Sequence, residues 1–185
     1  MKNETQNPTI LAGLFQDLAW VRVAGKGCFQ NSPQLREFAD RLAADGDRKM
    51  VVDLEDCPTM DSTFMGTLTG IAKRVLLNGR MQVVNVNKRN AQLFQNLGLD
   101  QILDVDFNGS TWKVERELVR ENITRELRDT GLSKVEHSEH VLEAHEELCR
   151  ANADNVPKFR DVIDFLKQDL AAAKIGEPKA DEPTS

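Results

Sequence analysis

LEDCPTMDSTFMGTLTGIAKRVLLNG, residues 54–79, is the stretch whose reading decides the fold. It continues MVVDL, residues 50–54, a short apolar run that suits a central strand covered on both faces. Its second half carries Phe64, Met65, Leu68, Ile71, Ala72, Val75 and Leu76 at helical spacing. Lys73, Arg74 and Arg80 lie toward the C-terminal end of that helix, where cations complement its dipole, and Asn78-Gly79 is the expected stop. Between strand and helix, an acidic loop delivers Asp61, Ser62 and Thr63 to the first helical turn. Such a strand-loop-helix unit belongs to an α/β sheet, whose functional loops sit at the C-terminal ends of the strands.

Toward the N-terminus, residues 9–15 and 18–24 read as a hairpin broken by Gln16-Asp17, with Trp20 as a core anchor. Asn31 or Ser32 caps the next helix, with Pro33 in its first turn and Leu35, Phe38, Ala39 and Leu42 on its buried face; Gly46 ends it. Toward the C-terminus, residues 81–86 form a strand and Lys88 to Leu97 a short helix closed by Gly98, and Leu99, Ile102, Leu103 and Val105 finish the core. The expected order is β-β-α-β-α-β-α, a small mixed α/β sheet over residues 8–106 with right-handed parallel crossovers and an antiparallel edge. Composition changes after Asn108-Gly109. Residues 110–175 read as an all-helical extension, with helices near 111–128, 135–150 and from Asp154 or Asn155 onward; Gly176 to Ser185 reads as a disordered tail. The apolar stripes of the extension, such as Phe159, Val162, Ile163, Leu166 and Leu170, need burial against the α/β unit or another chain, so a homodimer through these helices is one expectation.

The net charge of −6 argues against a general nucleic-acid binder and against an anionic lipid surface. The start, MKNETQNPT, is polar, and no apolar run approaches the ~20 residues that span a bilayer, so no membrane insertion is expected. Cys28, Cys57 and Cys149 form no CxxC or zinc spacing and read as reduced thiols of a cytoplasmic protein. His137, His140 and His145 stand among Glu136, Glu139, Glu143, Glu146 and Glu147, at spacings that lack an i, i+4 pair; HEELC, residues 145–149, lacks the second histidine of HExxH. This helix reads as a solvated, charged face and not as a metal site. No Ser-His-Asp order or carboxylate pair stands out, so no catalytic residue, no cofactor and no enzyme activity are expected.

The first turn of a helix exposes unpaired N–H groups and the positive end of the dipole. Asp61 can accept those hydrogen bonds, and the hydroxyls beside it are exposed to chemistry. Local pattern leaves two readings open, a plain cap and a regulatory hydroxyl. A phosphate there, carrying roughly −1.5 to −2 charge, would suit the helix N-terminus but would repel a partner docked beside Asp61, Asp56 and Glu55.

VVDLEDCPTMDSTFMG, residues 51–66, resembles the signature of STAS domains, typified by bacterial anti-sigma factor antagonists: an apolar strand, an acidic loop, then Met-Asp-Ser-Ser/Thr-Gly-Leu-Gly opening a helix. MQVVNVNKRNAQLFQNLGLDQIL, residues 81–103, is similar to the next strand and helix of that family. The resemblance implies Ser62 as phosphoacceptor, Thr63 as a secondary hydroxyl, and Asp61, Thr63, Phe64, Met65 and Cys28 as partner-binding residues. It implies an anti-sigma factor that is itself a serine kinase as partner, with a phosphatase resetting the switch. Phe64 and Met65 stand where the family has Gly-Leu, and the Gly25-Lys26-Gly27-Cys28 loop has no acid where antagonists often carry one. The family also includes constitutive scaffolds in sensory complexes and accessory subunits of transporters; in that alternative the helical extension is the binding element and no phosphorylation is needed.

Overall fold

The computed structural model describes residues 8–15, 17–46, 49–75 and 80–176. The expected stop at Asn78-Gly79, the break at Gln16 and the tail beyond Gly176 lie outside the described residues. Five strands form one sheet in sequential order: β1 (Thr9–Phe15), β2 (Leu18–Ala24), β3 (Lys49–Asp53), β4 (Arg80–Val84) and β5 (Asp104–Asp106). β1 and β2 pair antiparallel, and every later pair is parallel. The crossovers are α1 (Ser32–Ala44), α2 (Ser62–Val75) and α3 (Lys88–Asn96). Stepping one strand at a time in one direction, with right-handed crossovers, puts these helices on the same face of the sheet.

The period-2 alternation of the strands builds two cores. Ala19, Val21 and Val23 of β2, Met50 and Val52 of β3 and Met81 and Val83 of β4 join Leu35, Phe64, Leu68, Ile71 and Phe94 on the α1–α3 side. Trp20, Val51 and Val84 point to the other side, where α4 (Lys113–Asn122) covers them with Val119 and, just beyond its end, Ile123. Trp112 closes that layer edge-to-face on Trp20, 6.5 Å between centroids, and its indole Nε1 donates to Gln82 Oε1 at 2.6 Å.

Two expectations need correcting. The order does not end on the helix after β4: Asp104–Asp106 adds a fifth strand, three residues long, too short to carry a readable alternation. The helix expected over 111–128 stops at Asn122. Beyond it the chain is extended and lies along the open edge of β1, with Ala12 N–H donating to Arg125 O and Leu127 N–H to Ile10 O. Unpaired edge groups of a sheet recruit a neighbouring segment, and here that pull overrides the helical spacing of Ile123 and Leu127. Leu127 therefore joins the α1–α3 core, not the α4 layer.

After an exposed connection the chain enters α5 (Lys134–Ala151), which starts at a capping box between Ser133 and Glu136. A short turn capped by Asn152 leads into α6 (Val156–Gly176). α5 lies directly on α2, and α6 on α5. The hinge between them is tied to the sheet domain by Asn155, fully buried, whose Nδ2 donates to Leu97 O and Leu148 O.

Candidate functional site

Asp61 organises the turn. Its Oδ1 accepts from Phe64 N–H at 2.9 Å, the side-chain cap of α2, and its Oδ2 accepts from Phe29 N–H at 3.0 Å. Its own N–H donates to Gly27 O, and Gly27 N–H donates to Thr59 O, so the loop after β2 is zipped to the loop after β3. A side chain at Gly27 would come within 2.9 Å of Met60 and Phe64, so only glycine allows this approach. Asn31 holds the other end of the loop, accepting from Cys28 N–H and donating to Lys26 O, and does not cap α1 through its side chain. Phe29 is left on the surface, 47% exposed, beside Asp61.

Ser62 is half-buried at the first position of α2, with Thr63 buried behind it. Phe64, Met65 and Cys28 turn inward: all three are buried, with Phe64 and Met65 in the main core. They shape the turn from beneath. Of the acids expected around the hydroxyl, Asp56 is paired with Arg22 and Glu55 with Arg116. Cys57 is a packed thiol: burial pushes it above its ordinary range, and it donates to Thr59 O at 3.3 Å.

The histidines overturn the expectation of a solvated helix face. His140 and His145 are buried and point at α2. His145 Nδ1 lies 2.8 Å from Val141 O and must donate to it, since a carbonyl only accepts. In the neutral ring Nε2 is then the acceptor, and it lies 2.9 Å from Ser62 Oγ, whose hydrogen it receives. Phe159 of α6 stacks edge-on against the same ring, at 5.1 Å. His140 Nε2 meets Ser32 Oγ at 2.8 Å and Thr67 Oγ1 at 3.2 Å. Thr67 donates its hydrogen to Thr63 O, so toward His140 it accepts, which places the proton on Nε2. Charged pairs ring the contact: Lys73 with Glu147 at 2.8 Å, and Arg36 and Arg74 with Glu143.

His140 carries a pH dependence. Burial, reinforced by the cationic neighbours Arg36, His137 and Arg74, pulls its pKa from 6.5 down to about 4. The unfolded chain therefore binds the extra proton first, and stability falls as pH drops from 6.5 toward 4. Urea midpoints measured across that window should fall for the native chain and fall less for His140→Gln; equal slopes would remove His140 from the account.

The structure brings Asp61, Ser62 and Thr63 together with Phe29, Ser32, Thr67, His140 and His145, which the sequence reading did not place beside them. The one signal was the pair of histidines on a helix otherwise rich in glutamate.

This arrangement, a sequential mixed sheet with an Asp-Ser-Thr helix start at the C-terminal end of its central strand, is that of an STAS domain. The STAS domain family model matches residues 13–118, and the chain belongs to that family. Among curated proteins it is similar to the anti-sigma-B factor antagonist of Staphylococcus aureus (strain NCTC 8325 / PS 47), 31% identical over 87 residues that make up 46% of this chain and 81% of the relative. It is similar also to the anti-sigma-B factor antagonist of Bacillus subtilis (strain 168), 34% identical over 86 residues, 46% of this chain and 78% of the relative. Among solved structures, an anti-sigma factor antagonist from Mycobacterium paratuberculosis shares the fold at 19% identity, with a TM-score of 0.51 over 62% of this chain and 95% of that one. These matches describe an STAS domain similar to anti-sigma factor antagonists. No helix among the described residues is long and apolar enough to cross a membrane.

Proposed function

We propose that the chain is a cytoplasmic partner-switching regulator: it binds an anti-sigma factor that is a serine kinase, is phosphorylated on Ser62 to end that binding, and is reset by a phosphatase. It is the ligand and substrate of the kinase and has no catalytic residue of its own. Asp61 orders the turn, and Thr63 is a neighbouring, secondary hydroxyl.

The observation that carries this reading is the double anchoring of Asp61 to Phe64 N–H and Phe29 N–H, which fixes the next residue, Ser62, at the start of α2 with its hydroxyl at the surface of the STAS unit. The positive end of the α2 dipole suits a phosphate at that point. The relatives, anti-sigma-B factor antagonists, supply the class of partner.

Phosphopeptide mapping of the chain isolated from its own cells tests the assignment. A fraction of the native chain should carry one phosphate on Ser62, and Ser62→Ala should carry none. A phosphate that persists in Ser62→Ala, or a native chain that never carries one, would rule the assignment out.

A further inference from the structure

We infer that α5 is a displaceable intramolecular cover over the α2 face: the chain as folded is a closed state in which Ser62 and the surface around it are withheld from a partner, and release of the α5–α6 hairpin is the step that opens it. This deepens the reading of Ser62 given above and rests on it for the identity of what is withheld.

The contact is built for close seating. A Cβ at Gly66 would stand 2.1 Å from Ala144 O, and one at Gly70 would stand 3.4 Å from Glu147 Cγ. Two glycines one helical turn apart thus leave a smooth track on α2, and the backbone of α5 lies in it at Ala144. The hydrogen bond from Ser62 to His145 marks one end of that track, the Ser32–His140–Thr67 cluster its flank, and Lys73–Glu147 its far end.

The contact is also built to let go. Its apolar part is small, Ala144, Leu148 and Ala151 with Phe159 of α6 behind them, and the rest is hydroxyls, imidazoles and partly exposed ion pairs, which add little to a contact's strength. A groove of about 710 Å3, walled by Arg36, Asp40, Leu132 and His140, opens between α1 and the N-terminal half of α5, so the two helices meet there through the polar links Ser32–His140 and Arg36–Glu143. The connection from Arg128 to Ser133 has no regular structure, is mostly exposed, and contains Gly131 at φ +63°. Closure and modification compete for one atom: a phosphate on Ser62 Oγ replaces the hydrogen that His145 accepts.

Gly66→Ala tests this in the full chain. The methyl collides with Ala144 O, while alanine suits the α2 helix better than glycine, so the STAS unit itself is not weakened. A reporter thiol, Gly70→Cys, is placed under α5 and its maleimide labelling rate is followed, with peptide mapping separating it from the native cysteines. We expect labelling to accelerate about tenfold or more when Gly66→Ala is added, as for a local opening shifted by about 1.4 kcal/mol. The phosphorylated fraction at Ser62, measured on protein from native cells, should rise with it. If Gly70→Cys already labels at the rate of the urea-unfolded chain, α5 is no cover. If Gly66→Ala speeds labelling but leaves Ser62 phosphorylation where it was, α5 covers without gating, and the inference falls while the Ser62 assignment stands. If labelling is gated and neither chain is ever phosphorylated, the Ser62 assignment falls and the cover stands. Should Gly66→Ala fail to fold, the pair His145→Ala with Glu147→Ala removes the links at both ends of the track and must speed labelling in the same way.

Discussion

Phe64→Ala is expected to lower the stability of the chain by about 3–5 kcal/mol, the usual cost of removing a buried phenylalanine and leaving a cavity. Phe64 is fully buried, sits at the first turn of α2, and packs under the glycine loop at Gly27, where the two loops of the site are zipped together. It therefore supports the Asp61 turn from within. In a urea titration followed by circular dichroism the midpoint should drop steeply at an unchanged slope, since the surface exposed on unfolding is nearly the same. A midpoint close to that of the native chain would mean that Phe64 faces a partner, as the family pattern at this position implied, and not the core.

The second large effect belongs to Leu148. It is fully buried in the core shared by α2, α3 and the helical hairpin, and its carbonyl is held by Asn155. Leu148→Ala is expected to cost about 2–5 kcal/mol. The loss should be local. Amide exchange should speed through residues 134–170 while β2, β3 and β4 keep their protection, because the sheet has its own two-sided core without α5. Uniform loss of protection across sheet and hairpin would show that the two parts unfold as one cooperative unit.

The STAS unit was legible because its signals are local. The apolar run at 50–54, the helical stripe from Phe64 to Ala72, and the glycines at 25, 46 and 98, all with positive φ, each mark an element by short-range rules. The same locality explains what was not legible. β5 is three residues long and has no periodicity to read. Residues 123–127 keep a helical spacing of apolar side chains, yet the free edge of β1 offers backbone partners that a helix of marginal length does not match. The histidines of α5 were read against their glutamate neighbours along the chain. Glu143 and Glu147 hold Arg36, Arg74 and Lys73 across the contact, leaving the histidines turned to α2.

By itself, then, the sequence determined the first four strands of the sheet, the crossover helices and the Asp-Ser-Thr turn, because hydrophobic period, caps and glycine positions act over a few residues. Only the tertiary structure decided what lies over that turn. Whether Ser62 faces solvent or an imidazole depends on contact between residues 83 positions apart, and on a glycine track whose use is visible only once a second helix is lying in it.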